Sequence, residues 1–215
     1  MRVMTLYKRH LRGFSLIELA IVLGVMGIIL GSIWMMAGDM RNNVKQEKFS
    51  EMLSVIVGNI RGNYAGKPYF DHTQVSKMMP NLVNLNVFPS DAVHQVSGGG
   101  VSIVDSPFGE VAGSLASPYN SIYVCGWAAK TSTACTYKTD TQNVPLFAIE
   151  ALFSDTTSCT GAVLSNSSSA TLPGLVAVYI NGTPLAALPS DAVTANTACA
   201  ANALKTVDFV YRLNP

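Results

Sequence analysis

Hydrophobic and polar positions divide the chain into an apolar front and a patterned remainder. From Phe14 to Gly38 the only charge is Glu18, and Leu19 to Gly38 is a run of 20 uncharged, mostly apolar residues. About 20 such residues are what a helix needs to span a bilayer's hydrocarbon core. Beyond Gly38 the pattern becomes amphipathic. Val44, Phe49, Met52, Leu53, Val55, Ile56 and Ile60 recur at helical spacing, interleaved with Arg41, Lys45, Glu47, Lys48, Glu51 and Arg61. No proline occurs before Pro68, and Gly62, Gly66 and Pro68 signal a stop. The pattern predicts one helix over 14–64, about 75 Å long at roughly 1.5 Å per residue. Residues 19–38 would cross the membrane, and the second half would pack on a globular domain over 65–215.

That domain reads as α+β. The stretch 73–85 predicts one or two short helical turns. Residues 101–104, 121–127 and 174–180 are short strand candidates. The stretch 145–153 is ambiguous between helix and strand, because a short apolar run fits both. Ser190-Asp191 before an alanine-rich stretch to Leu204 predicts a capped helix. Val207, Phe209, Tyr211 and Leu213 alternate with polar residues and predict a last, half-buried strand. Gly98-Gly99-Gly100 and the polar stretch 165–171 read as loops. Pro-Ser-Asp-Ala-Val occurs twice, at 89–93 and 189–193, in flanks that do not match; it reads as two similar helix starts and not as a repeat.

Composition adds a constraint. Charged residues are only 13% of the chain, against roughly 25% in ordinary soluble domains, so its surface is polar and uncharged or is covered by neighbours. Arg2, Lys8, Arg9 and Arg12 give the first 13 residues four bases and no acid. A basic flank before an apolar run predicts a cytoplasmic N-terminus and a C-terminal domain across the membrane. Nothing in the charge balance argues for nucleic-acid binding. The four cysteines, Cys125, Cys135, Cys159 and Cys199, all lie in the C-terminal half, without CxxC spacing. In an exported domain they predict two disulfides. Three connectivities are open. The favoured one joins Cys125 to Cys135, closing a short loop, and Cys159 to Cys199, tying down the C-terminal region.

The N-terminal segment has three readings. A secretory signal peptide has a shorter apolar region, a small-x-small cleavage site and no early carboxylate. A plain signal anchor fits the length but leaves Glu18 without a purpose, although a carboxylate in a spanning helix costs on the order of 2.5–3.5 kcal/mol at the centre. The third reading rests on Arg12-Gly13-Phe14-Ser15-Leu16-Ile17-Glu18, which resembles the processing site of type IV prepilins. That resemblance implies a pilin fold, in which a long N-terminal helix packs on a domain with an antiparallel sheet. It implies that a leader of residues 1–13 is cut after Gly13 by a prepilin peptidase, which also N-methylates Phe14. It makes Glu18 the carboxylate required for assembly. The implied partners are other copies of the chain, the peptidase and the inner-membrane pilus assembly machinery. The implied location is the inner membrane first and an extracellular pilus afterwards. The leader length, the absence of proline from the apolar half and the segment from Gly66-Lys67-Pro68-Tyr69 to Phe88-Pro89-Ser90-Asp91 resemble type IVb pilins more than type IVa, although Phe14 is more typical of type IVa.

Physical reasoning agrees with that role for Glu18. A buried carboxylate needs a cation to remain charged. The amine of a neighbouring copy's Phe14 could supply it and would fix axial register. Gly24, Gly27 and Gly31 fall on roughly one helix face, where small residues let backbones approach. No nucleotide-binding, hydrolase or zinc-protease motif is present, and the histidines His10, His72 and His94 are scattered. The expectation is a structural subunit with no catalytic residues, cofactor or metal. A secretion pseudopilin and a tip subunit with an adhesive site are the alternatives.

Overall fold

The computed structural model describes residues 15–70, 75–95, 102–108, 121–127, 145–168 and 173–214. The chain divides into two units, Met1–Asn42 and Asn43–Pro215. In the first, the described residues belong to helix α1, which runs Leu16–Asn63 and so extends into the second. Leu16–Trp34 has a mean hydropathy of 2.5 and none of it is buried.

The second unit is built on a five-stranded antiparallel sheet. β3 (Ile122–Gly126), β4 (Leu146–Phe153), β5 (Leu175–Ile180), β6 (Thr183–Pro184) and β7 (Lys205–Arg212) lie in the order β3-β4-β7-β5-β6. A separate two-stranded ribbon pairs β1 (Val93–Gln95) with β2 (Ser102–Val104). Three more helices complete the unit: α2 (Val75–Asn84), α3 (Thr156–Asn166) and α4 (Ala192–Ala200). The described elements are thus an apolar N-terminal helix, further helices and an antiparallel sheet.

The second half of α1 packs on one face of this sheet. Phe49, Met52, Leu53, Ile56, Val57 and Ile60 are buried, at the three- and four-residue steps that keep side chains on one helix face. The predicted stripe is corrected in two places. Val44 and Val55 are exposed, and Val57 is buried instead. The facing sheet surface follows from the register. Phe147 pairs with Tyr211 and Ile149 with Phe209, so alternation puts Phe147, Ile149, Ala151 and Phe153 on the same side as Val207, Phe209 and Tyr211. Phe49 contacts Phe153 and Phe209 at ring-centroid distances of 5.7 and 6.0 Å.

Polar side chains near the end of α1 fasten it at two points. Asn59 Nδ2 donates to the carbonyls of Asn86 and Val87, both at 3.1 Å, holding the turn that follows α2. Arg61 donates to the carbonyls of Arg212 and Pro173, at 3.0 and 2.8 Å through its NH2 group. Partial burial pulls the Arg61 guanidinium down from its ordinary value, against the attraction of the Tyr211 phenol beside it. Burial pushes that phenol well above the usual tyrosine range.

Several sequence readings change. The ambiguous stretch 145–153 is the buried strand β4. The segment 73–85 forms a ten-residue helix that runs through Pro80, at the loss of one backbone hydrogen bond. β7 is buried on both faces, because Asp208 and Val210 are covered as well as Val207, Phe209 and Tyr211. On that second face Trp127 packs on Tyr179 at 4.8 Å. Helix α3 was missed. Its Thr, Ser and Gly residues are poor helix formers, but Asp155 caps it by accepting from the Ser158 N–H at 2.7 Å. Its stripe of Cys159, Ala162, Val163 and Asn166 is buried. Of the two Pro-Ser-Asp-Ala-Val copies only 189–193 starts a helix; 89–93 turns into β1. The glycine loop 98–100 lies outside the described residues.

Truncation at fully buried Leu53 tests the stripe. Leu53→Ala should cost about 2–5 kcal/mol by cavity formation, while Val55→Ala should stay within about 0.5 kcal/mol. Near-UV circular dichroism melts of the detergent-solubilised chain separate the two. Arg61→Ala should cost about 0.5–1.5 kcal/mol, since the carbonyls of Pro173 and Arg212 lose a donor at an exposed site where water can replace it. Tyr211→Phe should be neutral or slightly stabilising by the same measurement, because its hydroxyl is buried without a hydrogen-bond partner.

Candidate functional site

The site begins where α1 begins. The Ser15 carbonyl accepts from the N–H groups of Glu18 at 3.0 Å and Leu19 at 3.1 Å, which gives Ser15 the cap position. Glu18 therefore lies in the first turn of α1. Ser-x-x-Glu is also the spacing of a helix capping box, a local signal that the sequence reading passed over. An acid in a first turn faces the positive end of the helix dipole. Gly13 and Phe14 lie outside the described residues.

On both sides of Glu18 the helix surface is bare among the described residues. Leu16, Ile28 and Trp34 are at least three-quarters exposed, and Leu19, Ile21 and Leu23 more than half. No atom lies within 4 Å of where a side chain would stand on Gly24, Gly27 or Gly31. The helix thus offers one carboxylate at its start, then an apolar surface and three flat positions open to close approach. It is long and apolar enough to cross a membrane.

The cysteines lie in the second unit. Cys159 of α3 is bonded to Cys199 of α4, with the Cα atoms 5.9 Å apart. Cys125, on β3, is also disulfide-bonded. Cys135 lies outside the described residues. Two triplets match the Asn-x-Ser/Thr glycosylation pattern, Asn166-Ser167-Ser168 and Asn181-Gly182-Thr183, and both asparagine side chains are hydrogen-bonded within the unit. Asn166 is fully buried and donates to the Ala162 carbonyl at 2.9 Å. Asn181 donates to Ala198 and accepts from the Thr206 N–H.

Two groupings were not legible in the sequence. Glu150 and Asp208, both fully buried, face each other across β4 and β7. Their positions 58 residues apart gave no signal, because only strand pairing brings them together. An imidazole–carboxylate pair forms between His94 Nε2 and Asp105 Oδ2 at 3.5 Å. It joins the ribbon's two strands, whereas the adjacent Asp71-His72 pair lies outside the described residues. The His94–Asp105 pair edges an open groove of about 710 Å³ between α1 and the ribbon. Among the described residues no cluster of three or more His, Cys, Asp or Glu side chains could hold a metal.

Residues 8–34 match the family model for the prokaryotic N-terminal methylation motif. No curated protein matches the chain. Among solved structures, a type IVb pilin from Salmonella typhi is similar over 78% of this chain and 98% of its own, with 18% identity and a TM-score of 0.49.

Severing the α3–α4 bond should cost stability. The double replacement Cys159→Ser and Cys199→Ser should lower unfolding free energy by about 2–4 kcal/mol, read from denaturant titration beside the wild type. We propose Cys135 as the partner of Cys125. Non-reducing peptide mapping should return a Cys125–Cys135 peptide, and a Cys125–Cys199 peptide would contradict it.

Proposed function

We propose that this type IV pilin-like chain is a shaft subunit of a type IV pilus, cut after Gly13, N-methylated at Phe14 and polymerised through α1. One observation carries the reading. The methylation motif over residues 8–34 coincides with an uncovered apolar stretch of α1, Leu16–Trp34, whose only acid, Glu18, lies in the first turn of the helix. Before assembly the apolar surface of that helix is covered by lipid and the C-terminal domain lies across the inner membrane. In the polymer the same surface is covered by the helices of other copies. Moving between the two costs little apolar burial, because lipid tails and a helix bundle are both apolar. The polar end must therefore decide where the helix stops.

Cleavage after Gly13 leaves an amine at Phe14, four residues before Glu18 in the chain. In the polymer the amine of one copy meets the Glu18 carboxylate of a neighbour, so neither charge is buried alone. The pair contributes register more than net stability, since two desolvated charges roughly offset their attraction. A tip subunit can lack such a group, because nothing is added beyond it. Retention of Glu18 favours a place in the shaft. The secretion-pseudopilin alternative shares the same segment, and recovery of long sheared filaments distinguishes it.

Intact-mass and N-terminal peptide analysis of filaments should find a mature chain starting at methylated Phe14. A start near Asp39 would sink the reading. Glu18→Ala should insert and be processed normally yet accumulate as membrane-bound monomer. Leaving one side of a buried ion pair alone costs about 3–5 kcal/mol per subunit. Comparing sheared filament with membrane fraction tests this, and wild-type filament yield from the mutant would remove Glu18 from the mechanism.

A further inference from the structure

Between Leu19 and Trp34 the side chains of α1 carry two hydrogen-bond donors. One is satisfied within the helix, because Ser32 Oγ donates to the Ile29 carbonyl at 2.8 Å. The other is the indole N–H of Trp34, a residue that is 79% exposed. Arg41 follows about two helical turns later, on the same face as Trp34, in the same unit and exposed as well. Among the described residues neither side chain has a hydrogen-bond or ion-pair partner. No acid stands three or four positions from Arg41, where helix neighbours meet, and Asp39 and Glu47 fall off its face.

Depth along the helix gives these two groups different surroundings. At about 1.5 Å per residue, the stretch Leu16–Trp34 is about 28 Å long, close to the roughly 30 Å of a bilayer's hydrocarbon core. With Leu16 at one boundary, Trp34 stands at the other. Hydrocarbon offers an indole N–H no acceptor, whereas the ester carbonyls at that boundary do, and indole rings favour this level. The Arg41 backbone lies about 10 Å further out, past a headgroup layer of about 5–8 Å. Helix side chains lean toward the N-terminus, so a side chain as long as that of Arg41 can reach back into this layer. A guanidinium there can pair with a phosphate through two parallel N–H groups.

We propose that Trp34 and Arg41 form a phospholipid anchor on one face of α1, with the indole N–H at the ester level and the guanidinium on headgroup phosphate. The leaflet is the one on the C-terminal side of the span. The inference rests on the membrane stage of the pilus-subunit reading and adds to it what fixes the depth of α1 there. Apolar length alone sets that depth only loosely, because a small mismatch with the bilayer costs little. The anchor holds the helix at one level and so keeps Glu18 just inside the opposite boundary. Trp34 and Arg41 are both exposed in the single chain, so substitutions there cost the fold little.

The test reconstitutes full-length chains in phosphatidylethanolamine–phosphatidylglycerol vesicles that contain lipids brominated either high or low in the acyl chain. Subtracting the fluorescence of Trp34→Phe, made in each background, isolates the Trp34 signal from that of Trp127. Bromines near the headgroup should quench this signal at least about twofold more than bromines near the chain end. Arg41→Glu, which repels phosphate, should at least about double the quenching of Trp34 by aqueous acrylamide, while Arg41→Lys should stay near the wild-type level. The anchor is overturned if deep bromines quench Trp34 as strongly as shallow ones. It is equally overturned if Arg41→Glu leaves acrylamide quenching unchanged. In both cases α1 is still seen to enter the bilayer, so the membrane reading stands. Absence of quenching by either lipid overturns the membrane reading together with the anchor.

Discussion

The aromatic and aliphatic seam between the second half of α1 and the sheet is the contact on which the C-terminal unit depends. Phe49, Leu53, Ile56 and Ile60 are fully buried, and the strands beneath them present Phe147, Phe153, Phe209 and Tyr211, buried just as deeply. Apolar burial of this kind contributes about 25 cal/mol per Å² removed from water. It carries no directional information of its own. Direction comes from the polar ties at the seam's end, where Asn59 holds the turn after α2 and Arg61 holds the carbonyls of Pro173 and Arg212. Each ties backbone carbonyls of a distant segment to the helix, which is how a smooth apolar contact acquires a register.

The same helix has a first half with the opposite problem. Between Leu16 and Trp34 its side chains cover nothing and are covered by nothing in their own chain. Apolar surface on that scale is not stable against water and requires lipid or like helices. A single carboxylate in the first turn is cheap in this setting, because the dipole and the open end of the helix favour it. The glycines further along remove bulk instead of adding attraction.

Helices α3 and α4 are joined and capped by specific interactions. Both are short, and their Thr, Ser and Asn positions have modest helix propensity. Each has an aspartate cap, Asp155 or Asp191, and the Cys159–Cys199 bond joins them. These two helices fold because their ends and their bridge are specified, which is also why composition alone concealed α3.

The sequence by itself determined what depends on neighbours along the chain. The apolar run, the place of Glu18 and the stop near Gly62 are local, and each was readable from spacing. Much of the core stripe was equally legible, because helical periodicity binds residues three and four apart. The tertiary structure decided what depends on residues far apart. It chose strand for 145–153, buried both faces of β7, set Glu150 opposite Asp208 and turned Val55 out while drawing Val57 in. The two copies of Pro-Ser-Asp-Ala-Val show the division most clearly. In one, Asp191 caps a helix and Val193 stands in solvent; in the other, the same five residues lead into a strand in which Val93 pairs with Val104. Five residues specify a turn and offer a cap. Whether a helix follows depends on the residues beyond, and on whether a partner strand lies within hydrogen-bonding reach.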